Sequence, residues 1–236
     1  MLFYNNLSDF VDGQTEKLQK LQSARIPEVG VILDVLGPSD DQDREGNPGR
    51  YSVTQPVPQL SIDSDGIEGD RHRGLTRAST GREAPLYKRT GVTIVNRRQL
   101  FAVSLHECEL LSQRLDVKIT PQLLGANLVI GREDGADFCL SDVPLGTYFV
   151  IGPADAAKPP RPPIATLIHF IRQKGCARTG RAVASAHGDD ALMQQFVTQA
   201  ENQRGILCSV EYPVESPCAL EPGQRVFFKF PMGNCF

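Results

Sequence analysis

The densest chemistry in the chain lies in nine residues, Gly66-Ile67-Glu68-Gly69-Asp70-Arg71-His72-Arg73-Gly74. Three glycines in so short a stretch mark a backbone that turns sharply or approaches something closely. Between them stand Asp70, Arg71 and His72, which are an acceptor, a forked cation and a titratable imidazole. That grouping suits an anionic, hydrogen-bonding ligand, and it equally describes a polar hairpin loop closed by Gly74. A second group is Gly175-Cys176-Ala177-Arg178-Thr179-Gly180, read as a short loop with a thiol between glycines and beside Arg178. Nearby cations lower a thiol's pKa, which makes Cys176 the candidate reactive cysteine. Asn127 sits among aliphatic residues in Leu124-Gly125-Ala126-Asn127-Leu128, so its amide must be hydrogen-bonded, to backbone or to ligand.

Charge is uneven along the chain. The formal net charge of −3 gives no bulk argument for nucleic-acid binding. Between positions 68 and 98, however, eight Lys/Arg face three Asp/Glu, and between 158 and 181 there are six Lys/Arg and no acid. Arg98 and Arg161 fall in these stretches, which suit a phosphate or other anion; solvated basic faces are the alternative. The six cysteines are scattered without a Cys-x-x-Cys pair, and no Cys/His pair has metal-ligand spacing. His106 and Cys108 are two apart and point to different faces of one helix, a core cysteine beside an exposed histidine. With no secretion signal and no bilayer-length apolar window, the expectation is a cytoplasmic protein without a disulfide framework or membrane span.

Positions 1–27 predict an added arm, a short amphipathic helix with Leu7, Phe10, Val11, Leu18 and Leu21 near helical spacing. Positions 28–236 predict one large domain. Its strand signals run through Val29 to Leu36, Tyr51 to Thr54, Gln59 to Asp63, Gly91 to Val95, Gln99 to Val103, Leu128 to Ile130 and Thr147 to Ile151. The strand at 59–63 delivers the chain into the glycine-rich loop, and positions 75–90 read as irregular. Ser104-Leu105-His106-Glu107 is a capping box opening a helix with Leu110, Leu111 and Leu115 as its stripe. Positions 164–171 fit strand or helix, a helix is expected from about 189 to 203, and two strands close the chain at 206–212 and 225–230. Short strands with few helices favour a mainly β barrel or sandwich with peripheral helices, an α+β arrangement, over a doubly wound α/β fold.

Several pieces stand in a familiar order. Gly69-Asp70-Arg71-His72-Arg73-Gly74 is followed by Arg98-Gln99, Ser104…Glu107, Leu124-Gly125-Ala126-Asn127-Leu128 and Pro144-Leu145-Gly146-Thr147. Arg161-Pro162-Pro163 and Pro222-Gly223-Gln224-Arg225-Val226 complete the set. In this order they resemble the MOSC domain, named for the C-terminal part of molybdenum-cofactor sulfurase. The resemblance covers roughly positions 28–230 and implies a mixed β-barrel associated with molybdenum cofactor. It implies one of two activities: sulfur transfer to the cofactor, or reduction of N-hydroxylated substrates fed by a separate redox or sulfur-donor protein. Arg71, His72, Arg98 and Arg161 would hold the cofactor's phosphate and pterin oxygens, with Asp70, Gly74 and Asn127 shaping the loop and Cys176 as the thiol. The pyridoxal-phosphate desulfurase domain of the sulfurases is not expected in this chain, which has about 27 positions before its first strand. One departure stands out: the family's cysteine follows an Arg-x-Pro, and here that position is Ile164, which can neither ligate molybdenum nor carry a persulfide. An enzyme using Cys176 and a non-catalytic anion- or cofactor-binding module both remain open, each with a small-molecule ligand.

Overall fold

The computed structural model describes residues 29–39, 53–81, 83–201, 203–213 and 216–231. The expected arm at 1–27 and the acidic loop at 40–50 lie outside the described residues. Strand β1 (Val29–Pro38) opens the domain, followed by β2 (Thr54–Pro56), β3 (Leu60–Asp63), β4 (Gly66–Ile67) and β5 (Thr76–Ala78). A one-turn helix α1 (Ala84–Tyr87), β6 (Thr93–Val95) and β7 (Leu100–Val103) come next. Helices α2 (Leu105–Leu115) and α3 (Pro121–Leu124) lead to β8 (Leu128–Gly131). A 3-10 turn at Leu140–Asp142 precedes β9 (Tyr148–Gly152) and β10 (Ala165–Arg172). Helices α4 (Ala177–His187) and α5 (Ala191–Gln199) then precede β11 (Ile206–Tyr212), β12 (Cys218–Leu220) and β13 (Arg225–Lys229).

Seven strands close into a barrel in the order β13-β9-β10-β11-β7-β8-β1, with β1 pairing back onto β13 and β2 attached to the free end of β1. All neighbours are antiparallel except β7 and β8. A parallel pair cannot be joined by a tight turn, so the chain must cross over between them. Here α2 and α3 make that crossover, and α4 and α5 pack beside them to form a helical layer on one outer wall. Alternation along β7 divides its side chains accordingly. Leu100 and Ala102 join Ile32, Leu128, Ile151, Leu167 and Phe228 inside the barrel. Phe101 and Val103 face outward onto Leu111, Leu115, Val183 and Phe196 of the helices. The strand is buried on both faces for that reason. A second small sheet, β12-β3-β4, and the β5-β6 ribbon sit apart from the barrel wall.

The expected barrel with peripheral helices is therefore the observed architecture, and the capping box at Ser104/Glu107 is formed as read. Two local expectations change and one open choice is resolved. Positions 75–90 contain β5 and α1 rather than irregular chain, stabilised by Glu83, which binds both Arg77 and the Thr80 backbone. Positions 165–172 are strand, the first of the two alternatives, because both edges of β10 are needed to join β9 to β11. The supposed loop around Cys176 is the start of helix α4, with Cys176 itself at the N-cap. Gly175 and Gly180 are small there because backbone of α5 passes close by: an added Cβ would lie 2.4 Å from the Val197 carbonyl oxygen and 2.6 Å from that of Met193. Among the described residues no helix is long and apolar enough to cross a membrane.

One fully buried acid ties the layers together. Glu107 Oε2 accepts from the Ser104 backbone at 3.0 Å and hydroxyl at 3.1 Å. Its Oε1 accepts from the Ser141 amide at 2.9 Å, the Ser141 hydroxyl and the Gly205 amide at 3.1 Å. Gly205 has a positive φ of 75°, and a Cβ there would lie 2.2 Å from the Ala102 carbonyl oxygen, so only glycine fits. We expect Glu107→Gln, which puts a donor where only acceptors are wanted, to destabilise the fold by about 2–4 kcal/mol. Urea denaturation checks this as a lowered midpoint at constant m-value.

His169 lies fully buried on the face of β10 shared by Ala165 and Leu167. Its Nδ1 is 3.2 Å from the Pro144 carbonyl oxygen, and its buried Nε2 has no hydrogen-bond partner. That pattern selects the neutral ring protonated on Nδ1, since a buried N–H or a cation would be more costly. Burial, with help from the nearby Arg172 charge and against the Pro144 hydrogen bond, brings its pKa down to about 4. Between pH 6.5 and 4 the unfolded chain binds a proton that the native state refuses, so stability falls as pH drops through that window. The loss reaches about 3 kcal/mol by pH 4. In His169→Gln this part of the acid-induced slope should vanish, as read by denaturation midpoints between pH 4 and 7.

Candidate functional site

The glycine-rich loop is fixed at one end of the barrel, where β7 and β8 begin. β4 pairs with β3, placing Gly66 opposite Asp63 and Ile67 opposite Ile62. Gly74, at a φ of 129° that favours glycine, donates to the Asp65 carbonyl at 2.7 Å. Two buried amides then fasten the loop from the strand side. Asn96 Nδ2 donates to the carbonyls of His72 at 2.6 Å and Gly74 at 2.9 Å. Gln99 Nε2 donates to the Ser64 carbonyl at 2.7 Å while its Oε1 accepts from Val210 at 2.7 Å.

Inside this frame Asp70 is nearly buried. Its Oδ1 accepts from the His72 amide at 2.7 Å and faces His72 Nδ1 at 3.0 Å. Its Oδ2 accepts from Asn127 Nδ2 at 3.4 Å. Burial pushes the Asp70 pKa up, but the hydrogen bonds and charge of His72 and the Asn127 contact outweigh it and hold the carboxyl below its usual value. Asp70 therefore fixes the imidazole through Nδ1, and His72, about half exposed, turns its other edge outward. Asn127 also accepts from the Phe101 amide at 3.0 Å and reaches the Leu36 carbonyl at 3.5 Å. It is a fastening residue that joins β1, β7 and the loop.

Arg98 has a different role from the one read in the sequence. Its guanidinium binds Glu83, which also receives Arg77 at 2.7 Å. Burial raises the Glu83 pKa, and the Arg77 and Thr80 hydrogen bonds with the Arg98 charge more than reverse it, to about 2. Arg98 is thus engaged in closing the β5-β6 ribbon on the loop. Arg71 is partly exposed within the loop, and Arg161 is exposed in the connection from β9 to β10.

At the same end of the barrel, where β11 ends and β10 begins, is a cavity of about 590 Å³ lined by Pro163, Ile164, Tyr212, Pro213, Ser216, Pro217 and Cys218. Cys218 reaches it from β12, opposite Ile62 of β3, which is in turn opposite Ile67 of β4. Two strand spacings, about 10 Å, separate Cys218 from the start of the glycine-rich loop. Cys218 and Ile164 both line the cavity and both pack against the barrel core, so a cysteine borders the position at which Ile164 stands. The sequence reading passed over Cys218 because it lay in a Pro-rich linker between two strands; the pairing of β12 with β3 is a long-range contact that spacing does not disclose.

Cys176 is elsewhere. Arg161 and Ile164 precede β10 and Cys176 follows it, and β10 alone spans about 23 Å at the usual strand rise. Its Sγ lies 3.3 Å from Thr179 Oγ1 and 3.7 Å from Arg204 Nη1. Arg204 is almost wholly buried, donates to Thr179 Oγ1 at 2.6 Å and the carbonyls of Leu124 and Lys174 at 2.7 and 3.1 Å, and lies against the rings of Phe101 and Phe196. Burial pushes the Cys176 thiol up, but the Arg204 charge and the Thr179 hydrogen bonds prevail and bring it to about 7. The structure thus groups Asp70, Arg71, His72, Gly74 and Asn127 in one loop system, with Arg98 bracing it and Arg161 at the same barrel end, and sets Cys176 apart.

The thiols differ sharply in consequence. Burial raises Cys218 to about 11, and burial with neighbouring acids raises Cys108 and Cys139 to about 12. Site-resolved alkylation by iodoacetamide should give Cys176 a rate that rises with pH around a midpoint of about 7. Cys218 at pH 8 should be ionised to only about one part in a thousand and react slowly. Thr179→Val or Arg204→Met should move the Cys176 midpoint upward.

No protein-family model matches the chain. A curated protein of Bacillus subtilis (strain 168), named "Putative metal-sulfur cluster biosynthesis proteins YuaD", is 35% identical over 164 residues, or 68% of this chain and 77% of that protein. The crystal structure of the YuaD protein from Bacillus subtilis superposes with a TM-score of 0.64 at 26% identity, covering 84% of this chain and 94% of that one.

Proposed function

This chain belongs to the family of the Bacillus subtilis YuaD protein, and on that premise we propose that it binds a phosphate-bearing metal–sulfur cofactor of the molybdenum–pterin class at the barrel end that carries the glycine-rich loop. The observation that carries this reading is the pairing of an oriented Asp70–His72 loop with a neighbouring cavity that holds a thiol. The relative's name places it in metal–sulfur biosynthesis, and the motif order of this chain resembles the MOSC domain.

The residues present fit such a ligand. An anionic tail would meet His72, Arg71 and Arg161, whose N–H groups match phosphate oxygens. Among the described residues that line the cavity none is charged, so it can receive the flat face of a ring system while the charged groups lie outside it. A soft metal would meet Cys218, since Ile164 offers no ligand. When bound, such a cofactor supplies a redox-active metal with exchangeable oxygen and sulfur ligands. This chain's own residues bind and orient it: Asp70 holds the imidazole of His72, Asn127 and Asn96 hold the loop, and Gln99 ties the loop to β11.

A second reading rests on Cys176, whose depressed pKa suits a nucleophile. Its thiolate would attack the outer sulfur of a donor protein's persulfide, releasing the donor thiolate and leaving a persulfide on Cys176, with no net oxidation. That reading makes the protein a sulfur carrier with a separate sulfur-donor partner. Reduction of N-hydroxylated substrates would require a separate electron-donating protein, and it stands behind the other two because Ile164 replaces the cysteine that this chemistry uses in the MOSC domain and Cys218 comes from a different segment, β12.

Metal and pterin analysis of protein made in a cofactor-competent host, against a host blocked in cofactor synthesis, tests the first reading. Near-stoichiometric molybdenum and pterin in the competent host alone is expected. His72→Ala, Arg161→Ala or Cys218→Ala should each lower that content about tenfold or more, as loss of one charge-assisted contact implies, and Cys176→Ala should leave it in place. Equal absence of metal and pterin in both hosts would overturn the proposal.

A further inference from the structure

We infer that the far end of the barrel carries a divalent-cation site of the zinc class, held by His106, Glu109 and Asp137. The site is separate from the glycine-rich loop: it begins where β7 ends, whereas the loop lies where β7 begins. His106 and Glu109 are three apart on α2 and share one face of the helix. Asp137 arrives from the connection between β8 and the 3-10 turn. One ligand atom from each of the three residues lies within 4.8 Å of the others.

The distances have a particular size. His106 Nδ1 is 3.5 Å from Asp137 Oδ2 and 3.8 Å from Glu109 Oε2. Both exceed a hydrogen bond, which would draw nitrogen and oxygen to about 3 Å. Two donors bound to one zinc ion at about 2.1 Å each, with a tetrahedral angle between them, stand about 3.4 Å apart. The ring nitrogen is itself shielded from solvent and has no hydrogen-bond partner, although the side chain as a whole is 27% exposed. The same nitrogen thus stands within ion-pair distance of two carboxylates from different segments, a convergence that a cation would occupy.

The surroundings suit a cation. A hollow of about 160 Å³ includes His106, Asp137, Ser104, Gly131 and Phe138 among its walls, enough for an ion and a few waters. Arg132 also borders it, but its guanidinium is turned onto Asp134, with Nε 2.7 Å from Oδ1, so its charge is already matched. Glu109 and Asp137 are exposed and can close on an ion with little rearrangement. One imidazole and two carboxylates select Zn²⁺ or Co²⁺ over the all-oxygen preference of Mg²⁺ and Ca²⁺. Three protein ligands leave a coordination position open, which is the arrangement of an exchangeable or reactive ion rather than of a closed structural site. Sequence reasoning looked for Cys and His pairs and so passed over a His-x-x-Glu whose third partner is 28 residues further on.

The experiment is a Co²⁺ titration of tag-free, chelator-treated full-length protein, followed by visible absorption and by calorimetry, with Zn²⁺ as competitor. One equivalent is expected, with Zn²⁺ displacing Co²⁺. His106→Ala and Asp137→Asn should each weaken binding at least about tenfold. Glu109→Gln, an exposed change that leaves the fold intact, should weaken it in the same direction. Prior alkylation of the thiols should not alter it. No binding of either ion at millimolar concentration would overturn the inference. So would binding that persists in His106→Ala and disappears when the thiols are blocked.

Discussion

A buried carboxylate with all its donors in place is the constraint on which the rest of this molecule hangs. Glu107 joins the start of α2, the 3-10 turn and the residue before β11, three segments remote in sequence. An isolated charge in such a place would be prohibitive, so the three segments must arrive together or not at all. Their convergence sets the direction of α2, and α2 with α3 is the crossover that lets β7 and β8 lie parallel. Asn127, the residue after that crossover, then reaches Phe101, Leu36 and Asp70. Helix capping at one end of the wall is thereby connected to loop geometry at the other.

Electrostatics separates two qualities that are often assumed to coincide in a functional cysteine. Cys176 has the cationic neighbour and the helix N-terminus that favour a thiolate, yet it lies in the helical layer away from the cavity. Cys218 is among the residues that line the cavity, yet burial against the core keeps its proton. A metal would change that balance by displacing the proton as it binds, because a thiolate ligand and a cation stabilise each other. Reactivity toward an electrophile and readiness to ligate a soft metal are thus assigned to different residues.

The barrel was legible because its strands carry strong local signals. Val29 to Leu36 and Ile206 to Tyr212 are β-branched or apolar runs bounded by turns, and Ser104 with Glu107 announces a helix start unambiguously. The helix at Ala177–His187 was not legible, since Gly175 and Gly180 read as loop punctuation, whereas they are small because the backbone of α5 packs against them; its alanines and arginines favour helix. Within the site, the glycine-rich loop could be found from composition alone. The pairing of Arg98 with Glu83 could not, because the two are fifteen positions apart with a one-turn helix between them, and only the folded ribbon brings them together. Cys218 and Asp137 were silent for the same reason: each acquires its neighbours through contacts that no periodicity encodes.

The closing seam of the barrel has a consequence for how the chain must be made. Val29 of β1 pairs with Phe227 of β13, nearly the full length of the described chain apart. At ordinary rates of synthesis, β1 therefore waits about 10–40 s for its second neighbour while the ribosome completes the intervening segments. Through that interval one edge of the first strand is bare, and β8 must occupy the other. The order of translation thus favours a partly assembled sheet that zips shut late, and the nascent barrel is most exposed to wrong strand partners just before β13 emerges.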